Sequence, residues 1–309
     1  MGLRTPRINS HRRDPSLRRN AMSKAKQWWH HNVSHNPMLA EIDRFRRKFF
    51  SFRGPNVQAN GGLGLIVVLF LFYSIICIYN RGDMEPTGQL TIFLGFALFV
   101  IPFMLHGTIA GERERRSWDM LLVAPISPSQ IVVGKFIGAF LGLLVTFGLF
   151  MVPIFVLAVT YQNLKWGYLL LGILVVISQL LSLSALCILI SARVKRPLMA
   201  LAVTIGVVLV CFLFAPAFLS MLDSFTGKFV SNAVYPFAVI LELANGQLRQ
   251  INPGTESDYT PMVNPVLTSL TSIALQLVLT AALTAWAIKT LHFADNEVRF
   301  INNKKKKNA

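Results

Sequence analysis

Six long apolar runs dominate this chain, at about 62–79, 89–109, 135–160, 167–191, 198–222 and 263–289. A helix needs about 20 such residues to cross the roughly 30 Å hydrocarbon layer of a bilayer. The first run is the shortest, but at about 1.5 Å per residue it still crosses a thin layer. A water-soluble globule could not hide this much oil. Of 309 residues, 53% are apolar and only 14% are charged, where about 25% is usual. The same figures exclude disorder for most of the chain. The expectation is an all-α membrane protein with six transmembrane helices in a domain covering 62–291.

The distribution of charge sets an orientation. The formal net charge is +16. With the N-terminus in the cytosol, 26 of the 30 Lys and Arg residues fall before the first run, after the last, or in the two connections facing the cytosol. Only Arg81, Lys165, Lys228 and Arg249 lie outside. That asymmetry predicts a multi-pass protein of the cytoplasmic membrane with both termini cytosolic. It also removes nucleic acid as an explanation of the charge, because each cation near the anionic inner leaflet is worth about 1 kcal/mol.

The flanks read separately. Residues 1–35 form a basic, polar cytosolic tail with no capacity for a core, and 292–309 form a second basic tail. Between the first tail and the first run, 36–53 has a capping Asn36 and an N1 Pro37. Met38, Ile42, Phe45, Phe49 and Phe52 then recur at helical spacing among cations. This predicts an amphipathic helix in contact with membrane lipid at the interface, with a soluble amphipathic helix packed on a partner as the alternative. The external segment 223–262 holds an apolar stretch of ten residues, 234–243. Ten cannot span, so the segment is expected to re-enter or lie on the outer surface.

Several chemistries have no residues to carry them. No P-loop occurs, since Phe follows both Gly-Lys pairs, Gly134-Lys135 and Gly227-Lys228. No catalytic elbow or zinc-helix motif is present. Cys77, Cys187 and Cys211 sit in apolar runs without paired spacing and read as buried small hydrophobes. His30, His31 and His35 lack supporting carboxylate or Cys neighbours, so no metal site is expected. Ion-driven carriers bury ionisable groups in mid-membrane, and the runs have none there. Thr268, Ser272, Gln276, Thr280 and Thr284 form a polar stripe on the last span. The stripe serves either as a lining for a substrate path or as interhelical hydrogen bonding, and the second reading is preferred. Gly134, Gly138, Gly142 and Thr146 make a ridge that permits close helix approach.

The segment 111–135, GERERRSWDMLLVAPISPSQIVVGK, is the informative one. Arg115, Trp118, Leu121 and Leu122 share a helix face, and Pro125 ends that helix. A short stiff helix between spans suits force transfer from a docked partner, and a loop on the headgroups would look the same. The segment resembles the signature of ABC type-2 transporter permeases, an E-x-E-x-G-T-x-E-x-L-L-x-T-P-[ILV]-[ST] stretch ending in Gly-Lys. Glu112, Glu114, Ser117, Asp119, Leu121, Leu122, Pro125, Ile126, Ser127, Gly134 and Lys135 match it. Arg116-Ser117 stands where the family has Gly-Thr, and Ala124 replaces Thr or Ser.

The resemblance implies the transmembrane subunit of a bacterial ABC exporter. It implies a second permease subunit, identical or homologous, and separate ATPase subunits that carry the ATP and magnesium, with no cofactor on this chain. It implies that 111–129 is a cytosolic coupling helix between the second and third spans. Its coupling residues would be Glu112, Arg113, Glu114, Arg116, Ser117, Trp118, Asp119, Leu121, Leu122 and Pro125. No catalytic residue is expected. The competing expectations are an ion- or proton-coupled carrier and a non-transporting membrane anchor.

Overall fold

A computed structural model describes residues 57–80, 85–114, 127–161, 164–226, 234–251 and 264–307. Among these, the regular structure is helix throughout. In chain order the helices are α1 (Val57–Tyr79), α2 (Pro86–Leu105), α3 (Ala110–Glu114), α4 (Pro128–Thr160), α5 (Trp166–Arg193), α6 (Pro197–Thr226), α7 (Pro236–Ile251) and α8 (Pro265–Lys307). The amphipathic segment 36–53, with Ile42, Phe45, Phe49 and Phe52, and the tail 1–35 lie outside the described residues.

Five of these helices open on a proline: Pro86, Pro128, Pro197, Pro236 and Pro265. The ring presets a helical φ, and the missing N–H falls where no helical partner exists. This moves several starts ahead of the hydropathy boundaries. The third run was expected to begin near 135, but α4 starts at Pro128. Its cap is Ser127, whose Oγ accepts from the Gln130 N–H at 3.3 Å while its own N–H donates to Gln130 Oε1 at 2.9 Å. Two donors are satisfied reciprocally, which fixes the start independently of hydropathy. At the other extreme, α8 runs 43 residues, about 65 Å at 1.5 Å per residue. It therefore continues far past any hydrocarbon layer, and its backbone takes in most of the expected basic tail. Pro102, Pro153 and Pro216 lie within helices α2, α4 and α6.

Five helical stretches among the described residues are long and apolar enough to cross a membrane: Pro86–Glu114, Pro128–Thr160, Trp166–Arg193, Pro197–Leu219 and Pro265–Leu291. The chain is thus a multi-pass membrane protein. The expected first span falls inside α1, whose described side chains form the shorter apolar piece Val67–Tyr79. In α7 the apolar part is Pro236–Gly246, about half the length that crossing requires.

Helix α5 is the axis of the bundle, touching α2, α4, α6, α7 and α8. Within its apolar window 67% is buried, against 17% for α6, so α6 is peripheral. Cys211 follows from this. It was expected to be buried like Cys77 and Cys187, but it lies on α6 and is exposed. A second centre joins α1, α2 and α4 through rings. Phe93 meets Phe147 at 5.1 Å and Phe150 at 5.9 Å between centroids, and Tyr73 meets Phe150 at 5.5 Å. Tilted and edge-on pairs of this kind add about 0.5–1.5 kcal/mol each beyond area burial.

The apolar face of α7 (Val239, Ile240, Leu243) is buried in the same core, against α2 and α5. Gly172 of α5 sits where α2 comes closest to α5. A Cβ at that position would stand 2.8 Å from Leu90 Cδ1 and 3.5 Å from Thr87 Cγ2. By contrast, a Cβ at Gly142 would meet nothing within 4 Å, so that part of the α4 ridge is not used for close packing within the chain.

Candidate functional site

The stretch after α2 is where the signature begins. Pro102 lies inside α2, and its missing N–H leaves only the Leu98 carbonyl, on the upstream side, without a helical partner. The His106 N–H still reaches the Pro102 carbonyl at 3.0 Å. The chain then turns through 106–109 and restarts as the short helix α3. The Ile109 and Ala110 N–H groups, which a continuous helix would pair with Leu105 and His106, fall in this break.

Ser191, near the end of α5, fills the gap. Its Oγ accepts from both N–H groups at 3.0 Å and donates to the His106 carbonyl at 2.8 Å. One hydroxyl has one proton and two lone pairs, so its whole capacity is spent here, at full burial. From the opposite side, Lys135 of α4 donates to the Thr108 carbonyl at 2.5 Å and ion-pairs with Glu112. Ile109, Ile131, Val132, Ile188, Ala192 and Leu291 pack around the junction. One bend is therefore held by side chains from two other long helices. Nearby, the Arg193 guanidinium lies 4.6 Å from the Trp286 ring centroid, joining the same end of α5 to α8.

Of the expected coupling residues, Glu112, Arg113 and Glu114 stand on α3, with Glu114 exposed. Arg116, Ser117, Trp118, Asp119, Leu121, Leu122 and Pro125 lie outside the described residues. Ser191 and Thr108 carry no motif and were not singled out from sequence. No signal in the sequence marks Ser191, because the break at 106–109 that it bonds is itself seen only in the structure.

The stripe on α8 is enclosed within the chain. Thr268, Ser272, Gln276 and Thr280 are buried, where α8 packs along α5. Most of its hydroxyls donate to their own helix: Thr268 to the Pro265 carbonyl at 2.9 Å, Thr280 to the Gln276 carbonyl at 2.7 Å, and Thr284 to the Thr280 carbonyl. Gln276 alone among them has a described bond across the seam, accepting from Ser178 Oγ at 2.5 Å, and its amide donates to Ser272 Oγ at 3.3 Å.

A third polar group lies at the opposite end of the bundle. Glu85 precedes Pro86, is 5% exposed, and accepts from the Tyr161 hydroxyl at 3.3 Å through Oε1. Its Oε2 is buried without a hydrogen-bond partner. Burial pushes the carboxyl up to about 7, and the Tyr161 bond offsets this only in part. The Tyr161 hydroxyl is raised in turn by burial first and by the facing carboxylate second. One helical turn on, Gln89 donates to the Cys77 carbonyl at 3.2 Å. Among the described residues no group of three or more His, Cys, Asp or Glu could hold a metal.

Comparison with known proteins accords with the signature. A family model described as ABC-2 family transporter protein matches residues 87–286. That range begins beside the N-terminus of α2, includes the bend and ends in α8, and it is about two-thirds of the chain. The chain belongs to the ABC-2 transporter family. It is a permease of the ABC type, a membrane transport subunit rather than a catalytic one. No curated protein matches the chain.

Proposed function

We infer that this chain is the transmembrane subunit of an ATP-driven exporter in the cytoplasmic membrane. Two permease subunits, identical or homologous, form the path, and a separate ATPase supplies the stroke. The observation that carries this reading is the family match over 87–286, together with the spacing of Glu112, Glu114, Leu121, Leu122, Pro125 and Lys135 within it. ATP and magnesium belong to the partner, since the sequence has no P-loop. Helix α1 is the sixth span, and an even number returns both termini to the cytosol, as the distribution of cations requires. The 223–262 segment, including α7, is external.

In this reading 111–129 is the coupling segment. Trp118, Leu121 and Leu122 fill a groove on the ATPase, while Glu112, Arg113, Glu114, Arg116, Ser117 and Asp119 fix register and Pro125 ends the helix. The α8 stripe is a packing seam rather than a substrate path: its hydroxyls bond their own helix, and Gln276 bonds across to Ser178 of α5. The cargo is a lipid, a drug-like amphiphile or a polymer, classes that suit spans without mid-membrane charge.

The test is Trp118→Ala with Leu121→Ala. The double variant inserts normally but no longer co-purifies with the ATPase. Normal co-purification overturns the coupling assignment. ATP hydrolysis by the chain alone overturns the division of labour.

A proton-coupled carrier is the second reading, and the buried Glu85 is what favours it. That group sits at a helix end rather than in mid-membrane. Transport that collapses when the proton gradient is dissipated at constant ATP would decide for the carrier.

A further inference from the structure

The bend at 106–112 is a weak joint in the wrong place for a machine driven from that end. If α3 is the root of the coupling segment, motion delivered to it has to reach the long helices. A helix with two missing backbone bonds, at Ile109 and Ala110, would absorb that motion by flexing. The orphaned groups at the centre of the bend are nevertheless bonded by side chains from other helices. The two orphaned donors, Ile109 N–H and Ala110 N–H, and the orphaned acceptor, the His106 carbonyl, all meet Ser191 Oγ. The Thr108 carbonyl, which a regular helix would pair with the Glu112 N–H, instead accepts from Lys135, because the Glu112 N–H goes to Ile109. Lys135 then holds the Glu112 side chain as well. Three long helices (α2, α4 and α5) are thereby fastened to α3 at one point.

We propose that Ser191 and Lys135 are positioning residues that form a clamp on this bend, making α3 move as one body with α4 and α5. The clamp rests on the exporter reading above. Ser191 ties α3 to α5, the axis of the bundle, so a push on α3 reaches the helices that pack along that axis. Lys135 ties the same point to α4, whose far end carries Tyr161 against Glu85. A side chain that serves only to stabilise the fold would not separate hydrolysis on the partner from movement at the far end of this chain. A clamp would.

The experiment uses the full chain with the ATPase that co-purifies with it, in lipid nanodiscs. Hydrogen exchange is followed with and without ATP plus orthovanadate, and ATP hydrolysis is measured in parallel. In the wild type, trapping the ATPase changes exchange at the far ends of α2, α5 and α7. In Ser191→Ala the amides of Ile109 and Ala110 exchange about tenfold faster or more, since their acceptor is gone. ATP hydrolysis persists in that variant, while the far-end response falls about tenfold. Ser191→Thr, which keeps the hydroxyl, restores the response.

An Ala variant that responds like wild type overturns the clamp. So do Ala and Thr variants that are equally impaired. If Ser191→Ala does not insert, Lys135→Met set against Lys135→Arg decides by the same comparison. A wild-type complex with no response at all sinks the exporter reading, and the clamp with it. A responsive wild type beside an equally responsive Ala variant sinks the clamp alone.

Discussion

At the scale of the residue, two buried polar groups give opposite expectations. Glu85 is an acid whose folded value, about 7, lies above its ordinary 4.5. The folded state therefore holds its proton more tightly than the unfolded chain. Its contribution to stability is fully present below about 4.5 and is lost as pH rises through about 7. Glu85→Gln should flatten thermal stability in detergent between about pH 5 and 8 and raise it at the upper end. Equal pH slopes for the two proteins would show that the carboxyl is solvated. Gln276 is neutral and paired. Ser178→Ala removes the donor to its Oε1 and should cost about 1 kcal/mol in denaturant unfolding, the scale of interhelical bonds in membranes. Adding Gln276→Leu should recover most of that loss, because no acceptor is then left bare. Neither group was legible as such beforehand. Glu85 reads as an ordinary residue before a proline, and only the tertiary structure buries it and brings Tyr161 to it.

At the scale of the element, helix existence was legible and helix ends were not. The apolar runs marked α2, α4, α5, α6 and α8, because 20 consecutive apolar residues leave a chain few alternatives. Their ends were decided by local chemistry that hydropathy does not weigh, such as Pro128 with the Ser127–Gln130 box. Helix α7 shows the other limit. Its apolar stretch is too short to span, and its placement depends on burying Val239, Ile240 and Leu243 in the core against α2 and α5, where Gly172 lets α2 approach α5 closely. Gly172→Ala should be close to neutral, because its Cβ meets the flexible end of Leu90, while Gly172→Leu should cost about 3 kcal/mol, with α2 pushed from α5. Protection of α2 amides in hydrogen exchange reads that displacement directly. An unchanged Leu variant would mean that Leu90 and Thr87 yield freely.

At the scale of the whole molecule, topology and assembly carry the predictions. A reporter fused after Lys307 should remain cytosolic, and one inserted within 252–260 should be external. With a cytosolic N-terminus, the reverse pair would require an even number of crossings before residue 252 and would remove α1 or α7 from its assigned place. The exposed apolar side chains of α6, including Leu213, Phe214 and Phe218, suit lipid or a second subunit rather than water. The membrane character of the chain and the family signature were determined by the sequence alone, whereas six spans were expected and five helical stretches of membrane length stand among the described residues. Membrane character and signature depend on composition and on order along the chain, and a bilayer enforces both. Tertiary structure decided what meets across the bundle. Ser191 and Ile109 are 82 positions apart, and Ser178 and Gln276 are 98. Such partners are chosen by helix rotation and tilt. Those depend on the packing of many side chains at once, so no local pattern of residues announces them.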